Sequence, residues 1–294
     1  MTAAKSRSPT LAHIIPSQGR DGVTAVASLG DEVFVVRHSS RQQIEVYDAV
    51  TFALQRNIAV PGLGANCFGL AAISYGLAAC PSNRCLYASD WNSYCENNSV
   101  HRVELSGSNA VKKWKVAGEP TGLSVNKAHN LVVACWRSNI LQEYTTHGCL
   151  VREIPVRVQA AGSSPWHAVQ LSNGDYAVSH CTSPGVVSVV GVKGQVVSSY
   201  RQTLDGRQMK FPRGLAVTKN DDILVADSDN DRILLIYRST GCVQELDLPV
   251  DGGMQDPCGL CLDESRGRLY VGEYFGQHRV LVFDSVITPT CILL

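Results

Sequence analysis

One short pattern occurs six times in this chain of 294 residues, and this repetition limits the folds open to the chain more than any other feature. The clearest copy is RGLAVTKNDDILVAD, at 213–227: an apolar strand, a polar turn and a second apolar strand. The residue at the second position of each copy recurs at intervals of 52, 46, 45, 47 and 45, as Thr24, Gly76, Gly122, His167, Gly214 and Gly259. A repeat of this length is a unit that buries its apolar face only against a neighbouring unit.

Each copy continues in the same way after its second strand. A turn is followed by a third apolar segment, such as RILLIY or NILQEY, and then by a weaker fourth segment, such as VREIP. Val, Ile, Tyr and Leu dominate the segments, and Asn, Asp, Gly and Ser separate them, which is typical of strands and turns. Four strands in about 46 residues, six times over, predict an all-β, six-bladed β-propeller of four-stranded antiparallel blades.

The ends of the chain decide how such a ring closes. We predict a flexible tail over 1–10 and a single propeller domain over 11–294. The repeats of that domain start near 23, 75, 121, 166, 213 and 258. If one blade combines strands from both ends of the chain, the ring closes without an open sheet edge. LAHII at 11–15 is predicted to complete the sixth blade in this way, beside 258–284. The C-terminal segment PTCILL, at 289–294, is the alternative closing strand.

The fifth and sixth copies resemble a known family. FPRGLAVTKNDDILVADSDNDRILLIY, at 211–237, resembles an NHL repeat, whose pattern is Pro-x-Gly-Leu-Ala-Val followed by Val-Ala-Asp-Ser-x-Asn-x-Arg-Ile. The copy at 256–284 is similar, with Glu273 in the Asp place and Arg279 in the Arg place, whereas the other four copies lack the full set. The resemblance implies an NHL-like propeller and does not specify a function.

Composition narrows the class of protein. Lys plus Arg and Asp plus Glu both number 26, so the chain lacks the overall basic excess of a dedicated nucleic-acid binder, and a local basic patch stays open. The first ten residues, MTAAKSRSPT, lack the apolar segment of a secretory signal, and no apolar run approaches the roughly 18 residues of a membrane helix. We therefore expect a soluble, cytoplasmic monomer without a membrane partner, in which most of the 11 cysteines are free thiols.

When the six copies are aligned, we call each aligned position a column. Two columns follow the second strand of every copy. The first is polar and holds Arg37, Asp90, Cys135, His180, Asp227 and Glu273. Short polar side chains at such positions accept hydrogen bonds from turn amides, and this structural interpretation is the one we favour. The alternative is a ring of metal ligands for Ca²⁺ or Zn²⁺, for which Asp90, His180, Asp227 and Glu273 are the candidates. We predict neither a metal nor a cofactor.

The second column is richer in aromatic residues and holds His38, Trp91, Trp136, Cys181, Ser228 and Tyr274. Two interpretations are open: a shallow aromatic and cationic face that binds a partner, or tryptophans that fill the wedge between blades. A third column begins each first strand, with Val23, Tyr75, Thr121, Trp166, Arg213 and Cys258. Because its chemistry varies freely, we expect this column to face the rim or the central channel.

Catalytic motifs are weak in this sequence. Cys258 and Cys261 form a Cys-x-x-Cys, but they lie in a strand, where residues three apart point to opposite faces, so a redox pair is not expected. A Gly-x-Ser-x-Gly nucleophile elbow is absent from the sequence.

The sequence therefore predicts a non-catalytic binding or scaffold module that recognises a protein or peptide on one face of the propeller. The candidate contact residues are Arg37, His38, Trp91, Trp136, Arg137, Trp166, His180, Arg213 and Tyr274. Two alternatives stay open: RNA binding on that face, as in some NHL propellers that this chain resembles, and a metal-dependent enzyme similar to the lactonase and lyase propellers.

Overall fold

The protein is a ring of six antiparallel four-stranded sheets, as the sequence repeat predicts. The structure is a computed structural model that describes residues 8–17, 19, 21–38, 42–63, 76–91, 98–157 and 164–286. Within these residues the helical structure is limited to a 3₁₀ turn at Ser228–Asn230. None of it has the length and apolar character that a membrane-crossing helix requires.

The strands of the described residues are, in chain order, β1 Thr10–Ile15, β2 Val23–Leu29, β3 Glu32–Arg37, β4 Gln43–Asp48, β5 Leu54–Ala59, β6 Leu77–Cys80, β7 Cys85–Asp90, β8 Ser99–Glu104, β9 Val111–Lys115, β10 Glu119–Val125, β11 Leu131–Trp136, β12 Ile140–Tyr144, β13 Leu150–Pro155, β14 Pro165–Gln170, β15 Tyr176–His180, β16 Val186–Val190, β17 Val196–Tyr200, β18 Pro212–Val217, β19 Ile223–Asp227, β20 Arg232–Ile236, β21 Val243–Glu245, β22 Pro257–Asp263, β23 Arg268–Glu273 and β24 Val280–Asp284.

Blades 1 to 5 are each built from four consecutive strands, β2–β5, β6–β9, β10–β13, β14–β17 and β18–β21. The first strand of each blade lies innermost, and the inner strands of neighbouring blades contact one another around the axis. Blade 6 is mixed: its order is β1-β24-β23-β22, so the N-terminal strand is its outer edge.

The N-terminal strand closes the ring. β1 runs antiparallel to β24, from Thr10 opposite Asp284 to Ile15 opposite Val280, with a bulge between Leu11 and His13. This pairing confirms the predicted mixed terminal blade. The alternative closing segment at 289–294 and most of the predicted tail at 1–10 lie outside the described residues, although β1 already begins at Thr10.

The glycine that marks the repeat lies where two inner strands meet. A Cβ atom on Gly76 would be 2.4 Å from the carbonyl oxygen of Thr121, and one on Gly214 would be 2.3 Å from that of Cys258. Both contacts are shorter than any real Cβ contact and involve backbone of the next blade. A side chain at these positions would push the blades apart, because interiors are close-packed.

The hydrophobic core is divided into layers between blades. Phe34 and Val36 of blade 1 pack in one cluster with Leu86 and Ala88 of blade 2, and all four are fully buried. The same arrangement joins blade 6 to blade 1, where Ile15 shares a cluster with Tyr47, Val33 and Tyr270. Each blade therefore buries its two faces only when both neighbours are in place, which couples folding of the blades to closure of the ring.

Candidate binding face

The second strands of the six blades all end on one side of the disc, which we call the upper face. It is the side at which the inner strands begin, because each inner strand pairs its first residue with the end of the next strand, as Val23 does with Arg37 and Pro257 with Glu273. The aromatic column of the sequence repeat is therefore gathered there, at one end of a rigid ring.

The polar column is used inside the blades. Asp227 is fully buried, and its Oδ1 accepts a hydrogen bond of 2.6 Å from the Lys210 amide. Its Oδ2 accepts bonds from Asn230 Nδ2 at 2.8 Å and Arg232 Nε at 2.7 Å. Glu273 is equally buried and pairs with Arg279 at 2.7 Å. Both carboxylates therefore accept hydrogen bonds from the hairpin to which they belong and from the chain that enters the blade.

Two candidate contact residues, Arg37 and His180, lie in the interior and not on the surface. Arg37 is 7% exposed; its Nε lies 2.9 Å from Glu45, and its Nη1 donates to the carbonyl oxygen of His278 at 2.7 Å. His180 has no exposed surface, and its Nε2 lies 2.8 Å from the hydroxyl of Ser188. Both are positions of the polar column, whose side chains reach the third strand of their own blade. We therefore leave them out of the binding face.

The third column also differs from expectation, since its smaller members do not face the rim or the channel. Val23 and Thr121 are fully buried, and Cys258 is 3% exposed. A register shift at the start of the inner strands, as between Val23 and Ala25, explains the difference, because a bulge redirects the side chains beside it. Thr121 uses this position to donate a 2.7 Å hydrogen bond to the Trp166 carbonyl of the next blade. Tyr75 lies outside the described residues.

Three tryptophans on the upper face form one continuous group, which we call the aromatic arc: Trp91, Trp136 and Trp166. The ring centroids of Trp91 and Trp136 are 5.6 Å apart, and those of Trp136 and Trp166 are 6.4 Å apart, both edge to face. Arg137 lies over Trp136 with its guanidinium carbon 4.5 Å from the ring centroid. The arc spans blades 2 to 4, and this geometry is favourable for aromatic pairs and for cation–π contact.

Exposure differs along the arc. Trp91 and Trp136 are partly exposed, whereas Trp166 is 9% exposed at the wall of the central channel. The side chain of Arg137 is 63% exposed, although its Nη1 donates to Glu119 at 3.2 Å. The arc thus exposes parts of the Trp91 and Trp136 rings and the Arg137 cation to solvent, whereas Trp166 is buried.

A second group on the upper face joins blades 1, 5 and 6. The ring of His38 meets Tyr274 edge to face at 5.3 Å, and the guanidinium of Arg213 lies 5.6 Å from the Tyr274 centroid. Arg213 Nη1 also donates to both carboxylate oxygens of Asp256 at 3.1 Å. Burial lowers the pKa of His38, and the nearby Asp21 carboxylate opposes that effect. His38 is consequently a neutral ring at physiological pH.

Sequence reasoning missed the most exposed aromatic ring of this face, Phe275. It is 60% exposed and packs edge to face on Tyr274 at 4.9 Å. Phe275 also borders a pocket of about 390 Å³ whose other lining residues include Asp229, Asp231 and Asp256. The signal in the sequence is a Tyr-Phe-Gly run at the end of a strand. Large apolar residues are usually buried, so one in a polar turn indicates an exposed surface with a binding role.

The central channel is narrow. It has a volume of about 30 Å³ and is lined mainly by the inner strands, including Gly76, Gly122, Gly214 and His167. This cavity has room for water molecules. Within the described residues no three His, Cys, Asp or Glu side chains are close enough to hold a metal ion.

The cysteines of the Cys-x-x-Cys have separate partners. Cys258 Sγ donates to the Thr24 carbonyl at 3.6 Å, and Cys261 Sγ lies 3.3 Å from the Ser28 hydroxyl. Burial raises the pKa of both thiols, that of Cys261 to about 11, so neither is a thiolate at neutral pH. This arrangement agrees with two structural thiols and lacks the activated thiolate of a redox pair.

Comparison with known proteins agrees with the fold. Residues 209–234 match the family model of the NHL repeat, and they contain the buried Asp227–Arg232 pair described above. The protein is a six-bladed β-propeller with one segment that matches the NHL repeat. No curated protein matches the chain in sequence.

Solved structures similar to this propeller have different functions. A streptogramin B lyase is 13% identical, with 96% of this chain and 99% of that one covered and a TM-score of 0.61. A catalytically inactive virginiamycin B lyase of Staphylococcus aureus with quinupristin is 14% identical over 96% and 90% of the chains, with a TM-score of 0.62. The WD40 propeller domain of Doa1 is 12% identical over 94% and 97%, with a TM-score of 0.63. At these identities the similarity shows the fold alone.

The NHL motif itself is therefore structural in this protein. Blade 5 has the complete Asp, Asn and Arg set, and blade 6 replaces it with Glu273 and Arg279. Blade 3 places Cys135 in the same column, and its Sγ donates to Gln142 at 3.4 Å. Different side chains thus perform one task, which is to tie the second strand of a blade to its third.

Proposed function

We propose that this protein is a non-catalytic binding module that recognises a protein or peptide on its upper face. The contact surface is the aromatic arc with Arg137, together with Tyr274 and Phe275 on the other side of the channel mouth. The observation that carries the proposal is the exposure of these side chains: Phe275 is 60% exposed, and the side chain of Arg137 is 63% exposed.

The chemistry of these residues supports a macromolecular partner. Aromatic residues and arginine supply most of the energy in typical protein interfaces, and they do so from rigid scaffolds. The arc is held by ring contacts across three blades, so little conformational entropy is lost when a partner binds.

Peptide selection followed by substitution tests this proposal. A displayed peptide library is selected on the wild-type protein, and the affinity of the recovered peptides is then measured for Arg137→Ala and Phe275→Ala. Each substitution is expected to weaken binding by about tenfold or more, the effect of a hot-spot residue. Melting temperatures are expected to stay close to that of the wild type, because both side chains are mostly exposed.

Val50→Ala is the matched control for this experiment. Val50 is an apolar residue with 66% exposure in the turn after β4, on the opposite side of the disc. Affinities that fall no more for Arg137→Ala and Phe275→Ala than for Val50→Ala would show that the partner binds elsewhere. Trp136→Ala adds a second readout: if the tryptophan mainly fills the space between blades, its removal lowers stability by about 3–5 kcal/mol.

A further inference from the structure

A groove on the outer circumference, away from the upper face, separates blade 3 from blade 4. Its volume is about 720 Å³, and it is lined by Arg157, Lys193, Gly194, Gln195, Val196, Ser199 and Arg201. One end is closed by the turn of Gly194, where a Cβ atom would lie 2.3 Å from the carbonyl oxygen of Pro155. The groove therefore follows the outer strand of blade 4, β17, on the side that faces blade 3.

A bulge in β17 determines which of its side chains enter this groove. Val196 is opposite Val190, Ser198 is opposite Val189 and Ser199 is opposite Ser188. The register shift between Val189 and Val190 leaves Val197 as the extra residue. Val196 and Ser199 are thereby placed on the same face of the sheet, although they are three apart in sequence. Arg201, two residues after Ser199, continues that face.

The groove is strongly basic in a chain whose net charge is zero. Its three charged lining residues, Arg157, Lys193 and Arg201, are all cations and all exposed. None of them forms an ion pair with another described residue, whereas neighbouring Arg152 and Arg207 are paired with Glu143 and Asp205. Unpaired cations around a groove complement an anionic partner.

The outer edge of β17, which borders the groove, is an available strand edge. In the described residues β17 pairs with β16 on one side and has no strand on the other. Val196 and Val197 are 39% and 54% exposed, which is unusual for apolar residues in a strand. An exposed edge presents backbone donors and acceptors to an incoming extended chain, and its side chains supply specificity.

We propose that the groove binds an acidic peptide segment that adds to blade 4 as a fifth strand along β17. Carboxylates of the segment pair with Arg157, Lys193 and Arg201, and a small apolar side chain packs on Val196. A polyanion such as RNA shares the charge but fits less well, because the lining residues include no aromatic side chain on which a base could stack. This site does not depend on the upper face being a binding surface.

The experiment uses fluorescein-labelled octapeptides that alternate Glu with Val, Ile or Thr, and measures fluorescence polarisation with the full chain. We expect saturable binding that weakens as salt is raised. The double variant Arg157→Glu and Arg201→Glu is expected to weaken binding by about tenfold or more, because two attractive contacts become repulsive. Lys219→Glu, one such charge reversal at an exposed lysine of blade 5, is expected to leave the affinity within about twofold.

Two further measurements separate strand addition from simple charge attraction. Peptides methylated on alternate backbone nitrogens are expected to lose binding, and amide hydrogen exchange over 196–200 is expected to slow in the complex. The proposal is overturned if the acidic peptides do not bind, if the double variant binds them as well as Lys219→Glu does, or if backbone methylation has no effect. It is also overturned if oligouridine binds the groove more tightly than the peptides do.

Discussion

His167 shows how one residue can link three blades. It occupies the column in which four of the other copies have glycine, and its ring lies between the neighbouring inner strands. Its Nδ1 accepts a 3.0 Å hydrogen bond from the Leu215 amide of blade 5, and its Nε2 donates at 3.0 Å to the Leu123 carbonyl of blade 3. Only the neutral ring makes both bonds. Burial among these strands lowers the pKa of His167 to about 4 from an ordinary value of 6.5.

This pKa shift predicts acid sensitivity of the fold. Between about pH 6.5 and pH 4 the unfolded chain takes up a proton at His167 that the folded protein does not, so the free energy of unfolding falls as pH is lowered. We expect the loss between about pH 7 and pH 4.5, measured by urea unfolding, to be about 2 kcal/mol smaller in His167→Gln than in the wild type. The exposed His129→Gln is the control, and equal losses in all three proteins would show that His167 does not carry the effect.

At the scale of the element, the β19–β20 hairpin shows what the NHL motif does. Asp227 ends β19, and Arg232 begins β20 after a turn in which Asp231 has a left-handed φ of 53°. The side chains of this pair are 0% and 5% exposed. The hydrogen bond from the Lys210 amide to Asp227 extends the network to the chain that enters the blade. The motif therefore fixes the hairpin, its turn and the preceding loop together.

A double-mutant cycle measures how strongly this pair is coupled. Arg232→Leu or Asp227→Asn alone is expected to lower the free energy of unfolding by about 3 kcal/mol, because removal of one partner leaves the other buried without full compensation. The double variant is expected to lose clearly less than the sum of the two. Arg56→Leu, which breaks the more exposed Arg56–Glu32 pair of blade 1, is the control and should lower the free energy of unfolding much less. Strict additivity would contradict the coupling.

At the scale of the whole molecule, stability depends on the closure of the ring. β1 covers the outer edge of blade 6, and its Ile15 is fully buried between blade 6 and blade 1. Leu11 and Ile14 pack on a second cluster that continues into blade 5. One strand from the start of the chain is thus bound to elements about 270 residues later in the sequence.

Truncation tests this closure. Deletion of residues 1–17 removes β1 and exposes the edge of β24, and the loss of Ile15 alone is worth about 2 kcal/mol. We expect the melting temperature, measured by circular dichroism, to fall by about 5 °C or more. Deletion of residues 1–7, which leaves β1 intact, is the control and should have no such effect. A truncated protein that melts with the wild type would mean that another segment closes blade 6.

Much of the fold follows from the sequence because its determinants are local. Strand alternation, turn residues and the spacing of the repeat predicted the number of blades and the position of the inner and second strands, whereas the choice of 11–15 over 289–294 as the closing strand was a preference that left the alternative open. The structural role of the polar column was also predicted from the sequence. An acidic residue at the end of a strand and an arginine in the same hairpin lie close together in any register of the two strands. The NHL resemblance at 211–237 rests on this same local pattern.

Only the tertiary structure decided which of these residues reach the surface. Arg37 and His180 were predicted as contact residues, yet both are buried, because their side chains bond to Glu45 and Ser188 in the third strand of their own blade. Contacts between blades also placed His167 between blades 3 and 5 and brought Arg157 of blade 3 to the edge of β17. Local propensity carries no information about such neighbours, since they meet only after six separate sheets have closed into one ring.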